Sequence, residues 1–219
     1  MSKYLYNNKY LESCPLCDGK KYFYGQYQKR SYFRCEKCNS ISLENSDYPA
    51  PEEEKKRYTE HNNDIKDIRY QSFVRPIVSA ITNDFEEQHK GLDYGAGTGP
   101  VITKLLTDCS YNIKPYDPFF YNYPDYLKEK YDYIVCCEVI EHFHKPYHEF
   151  KKLKKMLKEK GKLYCKTELF GEGINFEKWY YKNDFTHVFF YTEKSIYWIK
   201  NNFNFQKVTI KNRLITFLN

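Results

Sequence analysis

Three groups of residues in this sequence have the types and spacing to do chemistry. The first is Gly91-Leu-Asp-Tyr-Gly-Ala-Gly-Thr-Gly-Pro100, with Gly95, Gly97 and Gly99 at every second position and Asp117 further on. Residues without a Cβ let a backbone turn hard and approach a ligand closely. In a nucleotide-binding α/β unit, an acid about 20 residues beyond such a turn accepts hydrogen bonds from ribose hydroxyls. Turn and acid together describe an adenosine-type pocket. The spacing departs from the Gly-x-Gly-x-x-Gly that seats a pyrophosphate. Asp93 would repel such an anion and favour a cationic amino-acid tail. The second group is Glu138-Val-Ile-Glu141-His142, with His187 later in the chain; an imidazole there can act as general base to an acceptor. The third is Cys14-Pro-Leu-Cys17 and Cys35-Glu-Lys-Cys38, two Cys-x-x-Cys knuckles separated by 17 residues. That spacing reads as a zinc site. Each knuckle sets two thiolates on one turn, and two turns complete a tetrahedral shell.

Elements must bring these groups together. Leu92 and Tyr94 read as the end of a buried strand, and Thr98 to Leu106 as a helix whose first amides face the glycine turn. Tyr111 to Tyr116 reads as a second strand that delivers Asp117. Tyr131 to Cys137 is a buried apolar run, which puts Glu138, Glu141 and His142 at the carboxyl end of a strand, where open α/β sheets bind ligands. Asp64 to Asn83 has helical spacing, with Pro76 as a kink or break. His148 to Lys160 reads as an amphipathic helix with a solvated lysine face, followed by a strand from Gly161 and a helix over 193–202. Phe203 to Ile210 and Leu214 to Leu218 suggest a closing antiparallel pair. Trp179 to Thr192, aromatic and without glycine, suits an ordered substrate-side lid that carries Asp184, His187 and Tyr191. Cys109, Cys136, Cys137 and Cys165 read as small buried hydrophobes. His61, His89, His144 and His148 read as surface or helix-end residues.

Composition bounds the setting. The chain has 219 residues, a net charge of +6, 24 tyrosines and eight cysteines. It contains no apolar run of membrane-spanning length, and Met1 to Lys9 has no apolar signal core. A cytoplasmic protein without a membrane partner is expected, whose cysteines are ligands or core thiols and not disulfides. From Cys14 to Cys38 six Lys/Arg face two acids, a balance of +4. Tyr22, Phe23, Tyr24, Tyr27, Tyr32 and Phe33 interleave with those charges. The mixture suits stacking and phosphate contact on single-stranded nucleic acid, or a metal-stapled cap whose aromatics pack on the main domain.

The acid-plus-glycine motif around Asp93 and Gly95 resembles that of the class I S-adenosylmethionine-dependent methyltransferases, over roughly residues 64–210. The resemblance implies an α/β fold: a doubly wound, mostly parallel, Rossmann-like sheet of the seven-stranded type with helices on both faces. Residues 1–44 would be a zinc ribbon, 45–63 a linker and 64–219 the methyltransferase domain. It also implies S-adenosylmethionine as cofactor, held by Asp93, Tyr94, Gly95, Ala96, Gly97, Asp117, Pro118, Phe119 and Glu138. The interval after Asp117 is too short for the usual helix, third strand and adenine-side acid, so Phe119, Phe120 and Tyr121 become candidates for the adenine face.

The Glu-x-x-Glu-His motif with a later histidine resembles two metal-using branches of that family: the ubiquinone-biosynthesis O-methyltransferases and the small-RNA 3′-terminal 2′-O-methyltransferases. By that likeness Glu138, Glu141, His142 and His187 would hold a divalent ion, with His142, His187 and Glu141 as catalytic residues. Many small-molecule methyltransferases carry a similar loop without a demonstrated ion, and that alternative stays open. The whole arrangement also looks like a bacterial group of zinc-ribbon methyltransferases, on Arg57 to Asp64, Tyr116 to Phe119 and Asp184 to His187. The expected activity is O-methylation of a small-molecule or glycan-precursor acceptor. The rivals are an RNA methyltransferase that reads RNA with its ribbon and a non-catalytic ribbon interaction protein.

Overall fold

The structure is a computed structural model and describes residues 13–60 and 64–219; His61 lies outside the described residues. β1 (Lys21–Tyr27) and β2 (Arg30–Cys35) form the expected hairpin. Gln28 and Lys29 both take positive φ in its two-residue turn, the geometry that matches strand twist. β3 (Ile41–Leu43) pairs with β2. α1 (Pro51–Glu60) opens on a proline followed by three glutamates, which suit the donor-rich start of a helix. α2 (Ile68–Asp84) is capped by the Asp67 side chain and runs through Pro76.

The main sheet begins with β4 (Lys90–Tyr94), followed by α3 (Val101–Asp108) and β5 (Asn112–Tyr116). Pro100 precedes the first turn of α3, which therefore starts later than Thr98. β6 (Tyr131–Cys137) spans the expected run, and α4 (Pro146–Met156) and β7 (Leu157–Lys166) follow it. Here the lysine-rich segment divides differently from its helical pattern: α4 stops at Met156, and residues 157–160 join the strand. A bulge opposite Tyr131 and Tyr133 absorbs them, with Lys160 at positive φ. A Cβ on Gly161 would sit 2.9 Å from the Asp132 carbonyl oxygen, so glycine permits the close pairing. β8 (Phe189–Phe190), α5 (Glu193–Asn202), β9 (Lys207–Lys211) and β10 (Leu214–Leu218) complete the chain.

The sheet order is β5-β4-β6-β7-β10-β9, parallel from β5 to β7 and antiparallel at β10 and β9. It has six strands, not the seven expected. Between Asp117 and β6 only a 3-10 turn over Pro124–Lys128 fits, because a parallel crossover alone needs a dozen or more residues. Alternation along β6 divides the core: Tyr133 and Val135 meet Val74, Ile77 and Ile81 of α2 and Leu106 of α3, while Ile134 and Cys136 belong with Phe150 of α4 and Ile196 of α5. Helices thus cover both faces, as expected. Cys136 and Cys165 are buried and Cys137 partly so, but Cys109 is exposed at the end of α3, a correction to its expected burial.

A second sheet, β1-β2-β3-β8, joins the two ends of the chain. Ile41 pairs with Phe190 and Ser42 with Phe189. Leu16, Tyr32, Ile41 and Leu43 share one buried core with α4 and α5. Among the described residues no helix is long and apolar enough to cross a membrane.

Candidate functional site

The glycine turn leaves β4 as the spacing requires. Gly95 and Gly97 take φ +81° and +64°, and a Cβ on Gly95 would lie 2.5 Å from a Val139 methyl. The backbone N–H groups of Gly95 and Ala96 both donate to the Tyr116 carbonyl (2.8 and 3.1 Å), tying the turn to β5. Asp117 accepts from the N–H of Gly97 (3.0 Å) through Oδ2 and from those of Phe119 and Phe120 (2.8 and 3.2 Å) through Oδ1. Oδ1 is thus filled, while Oδ2 keeps lone-pair capacity for a ligand hydroxyl. Asp93 accepts from the Thr103 hydroxyl (2.9 Å), and burial pushes its carboxyl up to about 6.

Those residues line one cleft of about 1020 Å³. Asp93, Tyr94, Gly95, Ala96, Gly97, Asp117, Pro118 and Phe119 face it at one end, and Glu138, His142 and His187 at the other. Of the three aromatics offered for the adenine face, Phe119 lines the cleft; Phe120 and Tyr121 do not. Asp184 lines it too, while Tyr191 does not: it is fully buried and donates to the Ile140 carbonyl.

Beneath the acceptor end Glu141 is wholly buried. Burial, and then the neighbouring Glu138 carboxylate, push its pKa up to about 8. Tyr181 donates to Glu141 Oε1, while Oε2 has no partner. His142 Nδ1 meets the Thr186 carbonyl at 2.9 Å and His187 Nδ1 meets the Tyr181 carbonyl at 2.6 Å. A carbonyl only accepts, so both Nδ1 atoms carry the hydrogen, which leaves neutral His142 with a lone pair on Nε2. Burial, then His187, push His142 down to about 3, which keeps it neutral. The ligand atoms of Glu141, His142 and His187 all lie within 4.8 Å of one another. Glu138 stands outside this cluster: its Oε2 accepts from Arg213 (2.7 Å).

The four cysteines Cys14, Cys17, Cys35 and Cys38 form a second buried cluster. The two knuckles repeat one hydrogen-bond pattern. Asp18 N–H donates to the Cys14 carbonyl and Asn39 N–H to that of Cys35, each from a residue at positive φ. Cys14 and Cys35 N–H donate in turn to the carbonyls of Gly19 and Ser40. Sγ–Sγ separations are 3.3 Å for Cys17–Cys35 and 3.7 Å for Cys14–Cys38.

Several site residues escaped the sequence reading. Arg213, in the β9–β10 turn, holds Glu138. Tyr181 bonds Glu141. α1, placed in a linker, covers the acceptor end: Arg57 pairs with Asp184 (2.8 Å), Tyr58 packs edge-on to His142 (5.2 Å), and Glu54 meets His144 (3.0 Å). His144 therefore faces the cleft. The acidic start after Pro51 signalled a helix, but no local pattern says which surface a short charged helix covers.

A family profile described as "Methyltransferase domain" matches residues 67–210. Among solved structures, the chain is similar to human N-acetylserotonin methyltransferase in complex with SAM, with 12% identity and a TM-score of 0.54 over 78% of this chain and 59% of that one. It is similar to a SAM-dependent methyltransferase from Archaeoglobus fulgidus, with 16% identity and a TM-score of 0.51 over 64% and 71% of the two chains. A third neighbour is Haemonchus contortus phospholethanolamine N-methyltransferase 2 in complex with phosphomonomethylethanolamine and S-adenosylhomocysteine (15% identity, TM-score 0.50, 62% and 38% covered). At these identities the likeness is one of fold. The match spans little more than half the length of several neighbours. No curated protein matches the sequence.

Proposed function

Because the chain belongs to the methyltransferase-domain family, we propose that it moves the methyl group of S-adenosylmethionine onto an oxygen of a small-molecule or glycan-precursor acceptor. One observation carries the proposal: a single cleft is lined by the Gly95–Asp117 turn and by half-buried His142 and buried His187, which cluster with the buried Glu141. The cofactor supplies an electrophilic methyl on a sulfonium. The residues at the first end fit it. Gly95 and Gly97, both at positive φ, let the backbone turn along the cleft wall, Asp117 Oδ2 has capacity for a ribose hydroxyl, and the Asp93 carboxylate suits an ammonium. Positioning is the main contribution of such a site.

The acceptor end fits a divalent ion. Glu141 Oε2 is buried without a partner, and the ligand atoms of Glu141, His142 and His187 lie within 4.8 Å of one another. Two imidazoles and a carboxylate suit Zn²⁺ or Mn²⁺, and an ion there lowers the pKa of an acceptor hydroxyl. Without an ion, neutral His142 can take the hydroxyl proton at Nε2. Glu138, held by Arg213, is assigned to orienting Tyr181 and the cofactor side. The four buried cysteines are assigned to a structural Zn²⁺.

The ribbon is assigned to a cap and not to an RNA reader. Tyr24, Tyr27 and Tyr32 pack on Phe176, Arg34 lies over Tyr24 and Phe170, and Arg30 donates to the Phe185 carbonyl. Those buried and half-buried groups are partnered within the protein, while Tyr22 and Phe23 stay exposed. The test incubates purified protein with a cell extract and methyl-labelled cofactor, then counts label in small-molecule, RNA and protein fractions. Label in small molecules, lost in Asp117→Ala, is expected; label in RNA would overturn the acceptor class. A protein that binds no S-adenosylhomocysteine would point to the non-catalytic alternative.

A further inference from the structure

We propose that the four-cysteine cluster positions the acceptor-side triad, because each knuckle holds one of the two chain segments that carry it. The inference rests on the metal assignment for the cysteines. The triad has two origins: Glu141 and His142 follow β6, and His187 precedes β8. The first knuckle holds the first segment. Its Pro15 carbonyl accepts from the Tyr147 N–H (3.4 Å), in the opening turn of α4 just beyond His142. Leu16 is buried in the same core as Phe143 and Phe150.

The second knuckle holds the other segment. The Cys38 carbonyl accepts from the Thr192 hydroxyl (3.2 Å), just beyond His187. β3 continues from that knuckle, pairs with Phe189 and Phe190, and donates from Leu43 N–H to the Val188 carbonyl (2.8 Å). Val188 N–H donates onward to the Glu141 carbonyl (3.0 Å), so the two segments close on each other at the triad.

An ion bonded to all four sulfurs cross-links the knuckles and so fixes the separation of the segments they hold. Metal binding of this kind is folding free energy for the parts it joins. The glycine turn depends on other bonds, those from Gly95 and Ala96 to Tyr116 and from Gly97 to Asp117. Emptying the cysteine cluster should therefore loosen one half of the cleft and spare the other. Local opening of this sort is what amide exchange reads.

The experiment first measures metal content of the purified full chain, then frees the four thiols of metal with a reversible thiol reagent and no chelator, so that an ion at Glu141, His142 and His187 is left in place. Amide hydrogen exchange by mass spectrometry and S-adenosylhomocysteine binding by calorimetry are compared before and after. The expected result is at least about tenfold faster exchange in peptides over 139–147 and 185–192, with exchange over 91–117 and cofactor-product affinity within about threefold. Zn²⁺ or Cd²⁺, but not Mg²⁺, should restore the slow exchange. Unchanged exchange, uniform acceleration, or parallel loss of binding would each overturn the inference; the last two would make the ion a general staple. A protein purified without metal on the four thiols would overturn the zinc assignment and the inference together. Failure of the loaded protein to bind S-adenosylhomocysteine would bear on the proposed cofactor alone, since the exchange comparison does not depend on it.

Discussion

Asp117 closes the turn and carries the cofactor assignment. Its two oxygens accept three backbone N–H groups, so its loss would remove the proposed ribose partner and free the loop at once. Hydrogen bonds to a charged group are worth about 1.5–3 kcal/mol. Asp117→Ala should weaken S-adenosylhomocysteine binding by roughly 30-fold or more in calorimetry; a change under about threefold would remove Asp117 from the site. Asp93 gives a pH signature. Burial pushes its carboxyl up to about 6, above an ordinary value of about 3.9. Folding thus favours the protonated form, and that stability is present below the unfolded value and lost as pH rises through about 6. His142, pushed down to about 3, works in the opposite direction over the same range, but it cancels in a comparison with Asp93→Asn. Between pH 4 and 7 the ligand-free variant should gain about 2–3 kcal/mol on the wild type in chemical denaturation. A difference that stays flat with pH would mean that Asp93 is not so buried.

Among the elements, β4 and β6 meet with unusual closeness at Gly91. A Cβ there would fall 2.2 Å from the Tyr133 ring, and Tyr133 is fully buried with nowhere to move. Gly91→Ala should cost about 2–3 kcal/mol of stability by overpacking; a melting temperature within a degree of wild type would show that the ring can yield. The strands of the main sheet were legible because β-branched and aromatic residues alternate or run unbroken in β6 and β10. Residues 157–160 were not, because Lys-Glu-Lys is as compatible with a solvated helix face as with a sheet segment that bulges. Pairing with β6 decides it. α1 is a similar case: its proline and glutamates announce a helix, yet only tertiary contact puts Tyr58 beside His142.

At the scale of the whole molecule, the cysteine module and the methyltransferase-family domain are interleaved. β8 lies among the last third of the residues but completes the N-terminal sheet, and Phe176 receives Tyr24, Tyr27 and Tyr32. We expect residues 45–219 alone to lose the cooperative thermal transition of the full chain in calorimetry, since that core would be opened to water. A truncated chain that melts cooperatively at an unchanged temperature would establish the ribbon as an independent unit.

The sequence alone determined the chemistry that depends on short spacings. Two Cys-x-x-Cys knuckles, a glycine turn and an acid at the next strand end are local constraints, since the turn geometry and ligand count reside in a few consecutive residues. Periodicity also located the main-sheet strands and α2 to α5, though not α1, β3 or β8, and it ran α4 on through residues 157–160. Tertiary structure decided what long-range contact controls: a sixth and last strand where seven were expected, Arg213 pairing with Glu138, and α1 over the cleft. It also decided the join between β3 and β8. Each depends on residues far apart in the chain whose meeting is set by core packing, for which no periodicity or spacing leaves a mark.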